Sequence, residues 1–338
     1  MSRETHLGYL EHKEKFGGPY MPMSLVRFNL IDPSLDAASI SARYKAMLEM
    51  AAFADTSGFF MATFEEHHGA ENAWSPTPLL NAGAVLSRTT NLAASVSALL
   101  LPLHDPIRVA EDIAVIDLMS GGRLTVILGL GYRPSEYQLL GKDWDRRGKI
   151  MDESIEILLK AWSGEPFEYN GGTHQIQPTP VTKPHPFIMI GGTSKVAARR
   201  AARFGLPLSP AANMPELEAY YYEQCEKHGT QGFCAMPGDE TKMTLVAEDP
   251  DKAWAELGQY FLNEASMYSS WQTSDISSAV HSHATTPEEL RSEGIYQIIT
   301  PDEAATLERI IHHPLCGGMP IDVGWESLQL FVDATSQP

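Results

Sequence analysis

Short apolar segments alternate with longer amphipathic segments along most of the chain. The short segments are brief enough for buried strands, and glycine, proline or polar residues bound most of them. The longer segments repeat apolar residues at helical spacing, and several end at glycine, which favours a helix C-terminus. The predicted strands span residues 24–30, 59–64, 91–101, 124–131, 187–192, 206–210 and 241–248. The predicted helices span residues 39–58, 76–88, 105–122, 146–164, 194–205, 215–229, 250–268, 300–313 and 325–335. Residues 269–294 are predicted to be an insertion.

This alternation predicts a parallel sheet that is covered by helices. Roughly eight strand–helix units fit a closed (β/α)8 TIM barrel, which usually needs about 250 residues plus insertions. A doubly wound open sheet is the alternative. Because no low-complexity linker divides the chain, we expect one α/β barrel domain over residues 23–338, with an insertion late in the barrel. Residues 1–22 are expected to form an N-terminal arm or tail.

Composition excludes several classes of function. The chain has 338 residues, of which 43% are hydrophobic, so it is long enough to bury a large core. Its net charge of −18 disfavours nucleic acids and anionic membranes as partners, because both are bound through clustered Lys and Arg. Three cysteines without a short spacing argue against a disulfide framework. No signal sequence or membrane-length apolar run is recognisable, and a soluble cytoplasmic protein is expected.

A polar cluster follows the second predicted strand directly. The apolar run 59–64 ends in Glu65, Glu66, His67 and His68. In a (β/α)8 barrel the active site lies at the C-terminal ends of the strands, where rigid elements hold the catalytic side chains. An imidazole titrates near neutral pH and can accept and return a proton. The cluster is therefore a candidate catalytic site at the mouth of the barrel.

Four longer segments point to a known family. They are FEEHHGAENAWSPTP, LLLPLHDPIRVAEDIAVIDLMSGGRL, GLGYRPSEYQLLG and MIGGTSKVAARRAARFGLP, and they occur in that order. In this combination the chain resembles the bacterial luciferase-like flavin monooxygenases, over roughly residues 24–335. The resemblance implies a (β/α)8 barrel that binds reduced flavin at the strand C-termini, and commonly a homodimer. Typical members take reduced FMN from a separate flavin reductase and oxidise a small organic substrate with O2. A sister branch transfers hydride with the deazaflavin F420.

The resemblance assigns roles to the polar cluster. His67 lies where the family has its active-site histidine, which moves protons beside the flavin. A hydrogen-bonded structural histidine is the alternative. Glu66 is expected to orient His67, and a side chain that only faces solvent is the alternative. His68 points to the opposite side of an extended segment. A contact of His68 with Glu111 across a dimer interface is one interpretation, and two solvated polar side chains are the other.

The third predicted strand has unusually small residues in its middle. Ser97 and Ala98 lie where family members often have a cis peptide bond that does not precede proline, and a flat flavin ring needs such an uncrowded surface. An ordinary strand packed under a helix is the alternative interpretation. Trp74 and Tyr132 are expected to line an apolar mouth that excludes water and admits the substrate.

The fourth predicted strand ends in Gly129, Leu130 and Gly131. Without a third glycine at the required spacing, this is a weak dinucleotide motif. The two glycines are expected to let the backbone approach the cofactor closely. Family members often have an arginine for the flavin phosphate where this chain has Leu130, and this departure leaves the flavin type open. Tyr132, Arg133 and Glu136 are expected to line the same mouth. Arg133 either replaces the missing charge or forms a surface salt bridge.

A phosphate site is predicted at the start of the helix over residues 194–205. The preceding buried strand ends in Gly191 and Gly192, which Thr193 and Ser194 follow. Free backbone N–H groups and the helix dipole bind anions at such an N-terminus. Because Ser and Thr also favour the N-cap position, an ordinary helix cap is the alternative.

Three functions are compatible with these observations. The first is a monooxygenase that uses reduced FMN and O2 to oxidise a small apolar substrate, with His67 as the proton-transferring residue. The second is an F420-dependent oxidoreductase, which Leu130 keeps open. The third is a non-catalytic flavin-binding subunit. No metal site is predicted, because His281 and His283 lack a suitably spaced carboxylate or cysteine partner.

Overall fold

The computed structural model describes residues 22–238, 242–272 and 280–336. The strands are β1 (Met23–Phe28), β2 (Met61–Phe64), β3 (Ala93–Leu100), β4 (Leu124–Gly129), β5 (Phe167–Tyr169), β6 (Gly172–His174), β7 (Phe187–Gly191), β8 (Leu208–Ser209), β9 (Met243–Val246), β10 (Tyr296–Ile299) and β11 (Arg309–His312). The α-helices are α1 (Ala37–Thr56), α2 (Pro78–Leu86), α3 (Pro106–Ser120), α4 (Pro134–Leu139), α5 (Arg147–Ser163), α6 (Lys195–Phe204), α7 (Pro215–His228), α8 (Pro250–Trp271), α9 (Pro287–Glu293), α10 (Pro301–Thr306) and α11 (Ile321–Thr335). The strands and helices predicted between residues 24 and 268 correspond to elements in this set, with small shifts at their ends.

The large sheet winds in one direction from its first strand. Its strands have the order β10-β9-β11-β1-β2-β3-β4-β7-β8, and every neighbouring pair is parallel. From β1 to β8 the strands follow their order in the chain, and β11 returns to pair with β1. A doubly wound sheet would instead reverse its winding beside the first strand. The predicted (β/α)8 barrel class is therefore confirmed, although no ladder among the described residues joins β8 to β10.

Local signals set the ends of most helices. α3 begins where the Asp105 carboxylate accepts hydrogen bonds from the backbone N–H groups of Ile107 and Arg108, and it ends at Gly121 with a φ of 66°. α5, α6 and α7 likewise end at a glycine in the left-handed conformation. A side-chain cap stabilises a helix by about 1 kcal/mol. Because these signals lie next to the helix that they end, the sequence predicts them well.

The segment 300–313, which the sequence pattern predicts as helical, contains a helix and a strand. α10 starts with a capping box between Thr300 and Glu303 and ends at Thr306. β11 follows it and pairs in parallel with β1. The helical prediction is wrong here because pairing with a strand at the other end of the chain outweighs local preference.

The predicted insertion at residues 269–294 is only in part a separate segment. Its first residues continue α8, which ends at Trp271, and its last part contains α9. Residues 273–279 lie outside the described part of the chain, and so does the predicted N-terminal arm up to residue 21. β10 follows α9 as an additional strand that the sequence pattern does not predict.

An apolar core holds the strands and helices together. It includes Phe59 and Phe331, whose ring centroids lie 5.6 Å apart, and Trp162, whose Nε1–H donates to Ala110 O at 2.9 Å. None of the described helices combines the length and the apolar character that a membrane span requires. Neighbouring parallel strands end at the same edge of the sheet. The residues that follow β2, β3 and β4 therefore lie close together.

A buried charge network anchors α8 beside this edge. Glu264, on α8, accepts hydrogen bonds from Arg27 Nη1 at 2.7 Å and from His313 Nε2 at 2.7 Å. Burial by itself raises the pKa of Glu264, but the charges of Arg27 and His313 outweigh burial and hold that pKa well below its usual range. Tyr268 and Trp271 follow Glu264 by about one and two helical turns. The anchored helix α8 therefore places the side chains of Tyr268 and Trp271 at the edge of the sheet where β2 ends.

Candidate active site

His67 stands on the loop after β2 and is enclosed by aromatic side chains. The centroids of four aromatic rings lie within 6.0 Å of the His67 centroid: Trp271 at 4.7 Å, Trp74 at 5.0 Å, Tyr132 at 5.9 Å and Tyr268 at 6.0 Å. Only 6% of the surface of His67 is exposed. The four rings come from three separate parts of the chain, and together they keep water away from the imidazole.

Glu136 holds the His67 ring. Its Oε1 atom lies 3.3 Å from His67 Nδ1. The same oxygen accepts hydrogen bonds from the backbone N–H of His68 at 2.9 Å and from Arg133 Nη1 at 3.0 Å. Glu136 is buried in the first turn of α4, which directly follows the end of β4. A carboxylate from one strand end thus orients the imidazole from another.

Glu66, the residue expected to orient His67, instead binds two other imidazoles. Its Oε1 accepts hydrogen bonds from His68 Nε2 at 2.8 Å and from His104 Nε2 at 2.6 Å, and its Oε2 accepts one from the backbone N–H of Leu100 at 2.6 Å. Burial favours a raised pKa for Glu66, but the hydrogen bonds from His104 and His68 outweigh burial and lower the pKa to about 2. The hydrogen bonds of Glu66 thereby connect the end of β2 to the end of β3.

The side chains of His67 and His68 have different hydrogen-bond partners, Glu136 and Glu66, in keeping with the alternation of an extended segment. Burial lowers the pKa of His68, but the hydrogen bond and the negative charge of Glu66 outweigh burial, so that pKa is raised. Glu111 lies elsewhere, on α3, where its carboxylate is 3.8 Å from Arg108. Within one chain His68 therefore pairs with Glu66, and a contact with Glu111 between two chains stays a prediction.

The end of β3 has the cis peptide bond that the family resemblance predicts, between Ser97 and Ala98. Opposite it, on β4, a Cβ atom added at Gly129 would lie 2.8 Å from Ala98 Cβ, so the close approach of the two strands requires glycine. Gly131 has a φ of 76°, a conformation that favours glycine. β2 and β3 pair in parallel, so this surface of small residues lies at the same edge as His67.

The N-terminus of α6 has the geometry of a helix cap. The Ser194 side chain accepts a hydrogen bond from the backbone N–H of Ala197 at 3.2 Å. Gly192 has a φ of 136°, and a Cβ atom there would lie 3.0 Å from Ala197 Cβ. Thr193 is half-buried and Ser194 is exposed. The hydroxyl and N–H groups at this helix end are of the kind that binds phosphate, and this role stays a prediction.

Arg133 belongs to the site around His67. Its Nη1 also donates to His68 O at 3.2 Å, and its Cζ lies 3.9 Å from the centroid of the Trp271 ring. Only 11% of its side chain is exposed, and its partner Glu136 is buried. Of the two alternatives for Arg133, the salt bridge is present, but it does not lie at the surface, because the pair is enclosed by the loop after β2 and the end of α8. The other alternative, that Arg133 replaces the missing phosphate-binding charge, stays a prediction.

Two groups of potential metal ligands occur in the described part of the chain. Within each group the ligand atoms lie within 4.8 Å of one another: Glu66, His68 and His104 form one, and Glu264, His313 and Cys316 form the other. In both groups the carboxylate already accepts hydrogen bonds from the other two members. Hydrogen bonding therefore accounts for both arrangements without an ion.

Sequence reasoning did not identify several residues of this site. Glu136 was expected at the mouth of the barrel from its place after β4, but its contact with His67 was not predicted. Tyr268 and Trp271 have helical spacing, but this spacing equally fits core packing. His104 follows β3, and only its place near a strand end marks it. The common reason is that each residue acquires its role from a partner far away in the chain.

A family model described as luciferase-like monooxygenase matches residues 21–310 of the chain. The FMNH2-dependent dimethylsulfone monooxygenase of Pseudomonas putida is 29% identical over 167 residues, which are 46% of this chain and 45% of that protein. The oxygenase component of the flavin-dependent trigonelline monooxygenase of Acinetobacter baylyi is 25% identical over 197 residues, which are 54% of each protein. The chain thus spans about half the length of these curated relatives.

Solved structures share the fold at lower identity. The monooxygenase RslO1 from Streptomyces bottropensis has a TM-score of 0.70 and 21% identity, covering 93% of this chain and 98% of that one. The oxygenating constituent of 3,6-diketocamphane monooxygenase from Pseudomonas putida, in complex with FMN, has a TM-score of 0.66 and 17% identity, covering 94% and 98%. An F420-dependent secondary alcohol dehydrogenase has a TM-score of 0.56 and 16% identity, covering 94% and 100%. Since the family match covers most of the chain, the chain belongs to the luciferase-like monooxygenase family.

Proposed function

We propose that the protein is a reduced-flavin-dependent monooxygenase, which uses FMNH2 and O2 to oxidise a small apolar organic substrate. The observation that carries the proposal is the setting of His67. It is buried among aromatic rings, held by Glu136, and lies at the same edge of the sheet as the surface around Ser97 and Ala98. An imidazole held beside such a surface can accept and return a proton next to a bound flavin ring.

Reduced FMN fits the described residues at both of its ends. The flavin ring would lie against Ser97 and Ala98, where Gly129 and Gly131 keep side chains away from the surface. The phosphate would bind at residues 192–194, at the N-terminus of α6. When bound, reduced FMN supplies the electrons that activate O2. The relative that is named as FMNH2-dependent supports this choice of cofactor.

The aromatic enclosure favours an apolar substrate. The rings of Trp74, Tyr132, Tyr268 and Trp271 offer faces and edges against which an apolar group can pack. Trp74 is 2% exposed, and its Nε1–H has no hydrogen-bond partner among the described residues. A buried donor without a partner costs about 1–3 kcal/mol. A substrate that carries a carbonyl or a similar acceptor would relieve this cost, and we include this feature in the proposed substrate class.

Anaerobic titration with FMNH2, followed by admission of O2, tests the proposal. We expect tight binding of FMNH2 and, after O2 is admitted, slower release of hydrogen peroxide than from free FMNH2, because the enclosed site limits contact with water. His67→Ala should bind FMNH2 as the native protein does but lose the oxidation of an apolar substrate. His228→Ala changes an exposed histidine on α7 and serves as the control. Full turnover by His67→Ala would remove His67 from the mechanism.

F420-dependent hydride transfer is the second candidate function. It is favoured by Leu130, which lies between two glycines where an arginine for the FMN phosphate is expected. Anaerobic titration with reduced F420 separates the two candidates. Binding of reduced F420 and reduction of a carbonyl compound, without binding of FMNH2, would replace the first proposal. Binding of FMNH2 without oxidation of any substrate would indicate a non-catalytic flavin-binding subunit.

We also propose a homodimer that is served by a separate flavin reductase. Large apolar side chains are exposed on two adjacent helices, with Leu80 on α2 and Val115, Leu118 and Met119 on α3. Such patches mark interfaces between chains. The trigonelline enzyme is named as an oxygenase component, which supports a separate reductase. Light scattering of the native protein and of Met119→Glu tests the dimer, which we expect the substitution to weaken.

A further inference from the structure

We infer that Glu136 is a positioning residue that determines which nitrogen of His67 carries the ring proton. In this arrangement Nδ1 carries the proton, and Nε2 is the atom that exchanges protons with a bound ligand. The catalytic consequence rests on the proposed function. The location of the ring proton does not, and it can be measured without any turnover.

The contacts of Glu136 leave one assignment for His67 Nδ1. Glu136 Oε1 meets three nitrogen atoms: the backbone N of His68 at 2.9 Å, Arg133 Nη1 at 3.0 Å and His67 Nδ1 at 3.3 Å. A backbone N–H and a guanidinium can only donate, so Oε1 acts as an acceptor toward both. An unprotonated Nδ1 would direct its lone pair at the same oxygen. The neutral ring therefore carries its proton on Nδ1.

The other ring nitrogen is open to a ligand. Among the described residues, none hydrogen-bonds to His67 Nε2. The rings of Trp74 and Trp271 pack against the imidazole, with centroids at 5.0 Å and 4.7 Å, and restrict the rotation that would exchange the two nitrogens. The hydrogen bond of one imidazole nitrogen determines the protonation of the other. His67 thus presents Nε2 as an acceptor, which suits a group that first takes up a proton and later returns it.

The turn after β4 places Glu136 beside the imidazole. Gly131, with its φ of 76°, turns the chain, Pro134 starts α4, and Glu136 follows in the first helical turn. Arg133 lies in the same turn and binds both Glu136 and the backbone of the His67 loop. Glu136 therefore has two tasks, one toward His67 and one toward the loop, and a test must separate them.

Nitrogen-15 NMR of histidine-labelled protein reports which ring nitrogen carries the proton. The His67 signals are identified by their loss in His67→Gln, and they are measured above the pH at which the ring becomes neutral. We expect a protonated Nδ1 and an unprotonated Nε2 in the native protein without flavin. The opposite tautomer in the native protein would overturn the inference without the need for any further variant.

Three substitutions distinguish a positioning role from a general structural one. Glu136→Leu removes the acceptor, and we expect the proton to move to Nε2. Glu136→Gln keeps an oxygen acceptor, and Arg133→Met keeps Glu136 while it removes the neighbouring donor, so both should retain the proton on Nδ1. A proton that stays on Nδ1 in Glu136→Leu, or that moves equally in Arg133→Met, would contradict the inference. If Glu136→Leu does not fold, the position of the His67 ring proton in the native protein and in Arg133→Met still tests the inference.

A kinetic measurement separates this inference from the proposed function. For an apolar substrate that the native protein oxidises with FMNH2 and O2, Glu136→Leu should lower kcat by at least about tenfold, because Nε2 then carries the ring proton and cannot accept one from the ligand. KM and FMNH2 binding should not change. Unchanged kcat in a Glu136→Leu variant with the moved proton would refute the catalytic consequence. A native protein with the expected tautomer that binds no FMNH2 would refute the proposed function and leave the assignment of Glu136 intact.

Discussion

The guanidinium of Arg133 lies 3.9 Å above the indole ring of Trp271, and this contact joins two elements that close over His67. Arg133 precedes α4 and pairs with Glu136 at 3.0 Å. Trp271 is the last residue of α8, and its ring packs against His67 with the centroids 4.7 Å apart. A cation–π contact of this kind contributes about 0.5–2 kcal/mol. The enclosure of His67 therefore depends on a contact between two distant parts of the chain.

Removal of the Trp271 ring should expose the site to water. We expect Trp271→Ala to bind FMNH2 but to release hydrogen peroxide several-fold faster after O2 is admitted, because water then reaches the flavin. Trp144→Ala is the matched control, since Trp144 stacks on Arg147 at 3.7 Å in another cation–π pair. The rate of peroxide release from the FMNH2-loaded protein is the measurement. Equal rates in Trp271→Ala and the native protein would contradict a shielding role for Trp271.

Flavin binding should depend on the absence of a side chain at Gly129. A Cβ atom at this position would lie 2.8 Å from Ala98 Cβ and push the ends of β3 and β4 apart. We expect Gly129→Ala to weaken FMNH2 binding by about tenfold or more, equivalent to about 1.4 kcal/mol. Gly148→Ala, where the added Cβ would have an ordinary contact of 3.7 Å with Arg200, is the control. Anaerobic titration measures both, and native affinity in Gly129→Ala would argue against the proposed surface.

The buried Glu264 network should be important for stability. Glu264→Ala leaves Arg27 without one of its two carboxylate partners, and the loss of one member of a buried ion pair costs about 3–5 kcal/mol. We expect a decrease in the free energy of unfolding of that size in urea. Glu256→Ala, an exposed position on the same helix, should change it little. A small effect at Glu264 would mean that packing, not charge pairing, anchors α8.

The free energy of unfolding should depend on pH through the charge of Glu66. Its pKa is lowered from 4.5 to about 2 in the folded protein, so its stabilising contribution is complete above pH 4.5 and is lost as the pH falls toward 2. We expect Glu66→Gln to lower the free energy of unfolding by roughly 2 kcal/mol at pH 6, with a smaller difference from the native protein at pH 3. Urea unfolding at both pH values measures this. Glu256→Gln, at an exposed position, is the control. A difference at Glu66 that does not change with pH would contradict the prediction.

His312 should make the protein sensitive to acid. Its ring lies between Phe59 and Phe331, and neither ring nitrogen has a hydrogen-bond partner among the described residues. Burial lowers the pKa of His312 from 6.5 to about 3. Between these values the unfolded chain binds a proton that the folded protein does not, so stability falls as the pH drops below 6.5. The loss is up to about 1.4 kcal/mol for each pH unit.

Replacement of His312 by an apolar residue should remove this loss. We expect His312→Leu to raise the free energy of unfolding by about 1 kcal/mol at pH 7, because a polar ring without partners is no longer buried, and by more at pH 5. Urea unfolding at the two pH values measures the change. His228→Leu, at an exposed position, should show no such pH dependence. An equal gain at both pH values would mean that the pKa of His312 is not lowered in the folded protein.

The amino-acid sequence by itself predicted most strands and helices up to residue 268, though not α4, β5 and β6, and it predicted the place of His67 after β2. It also contains the motifs that resemble the luciferase-like family. This resemblance predicted the cis peptide bond between Ser97 and Ala98. Periodicity, caps and turn residues act over a few neighbouring positions, so they can be read without knowledge of the fold. The same local rules failed at β11, where pairing with β1 decided the conformation.

Only the tertiary structure decided which carboxylate meets which imidazole. Glu66 is the immediate neighbour of His67 in the chain, yet it binds His68 and His104, whereas Glu136 reaches His67 from 69 residues away. The aromatic enclosure likewise depends on α8, which the Glu264 network anchors. Side-chain contacts of this kind depend on where strand ends converge and on which buried charges find partners. These are properties of the packed chain, and no local pattern of residues encodes them.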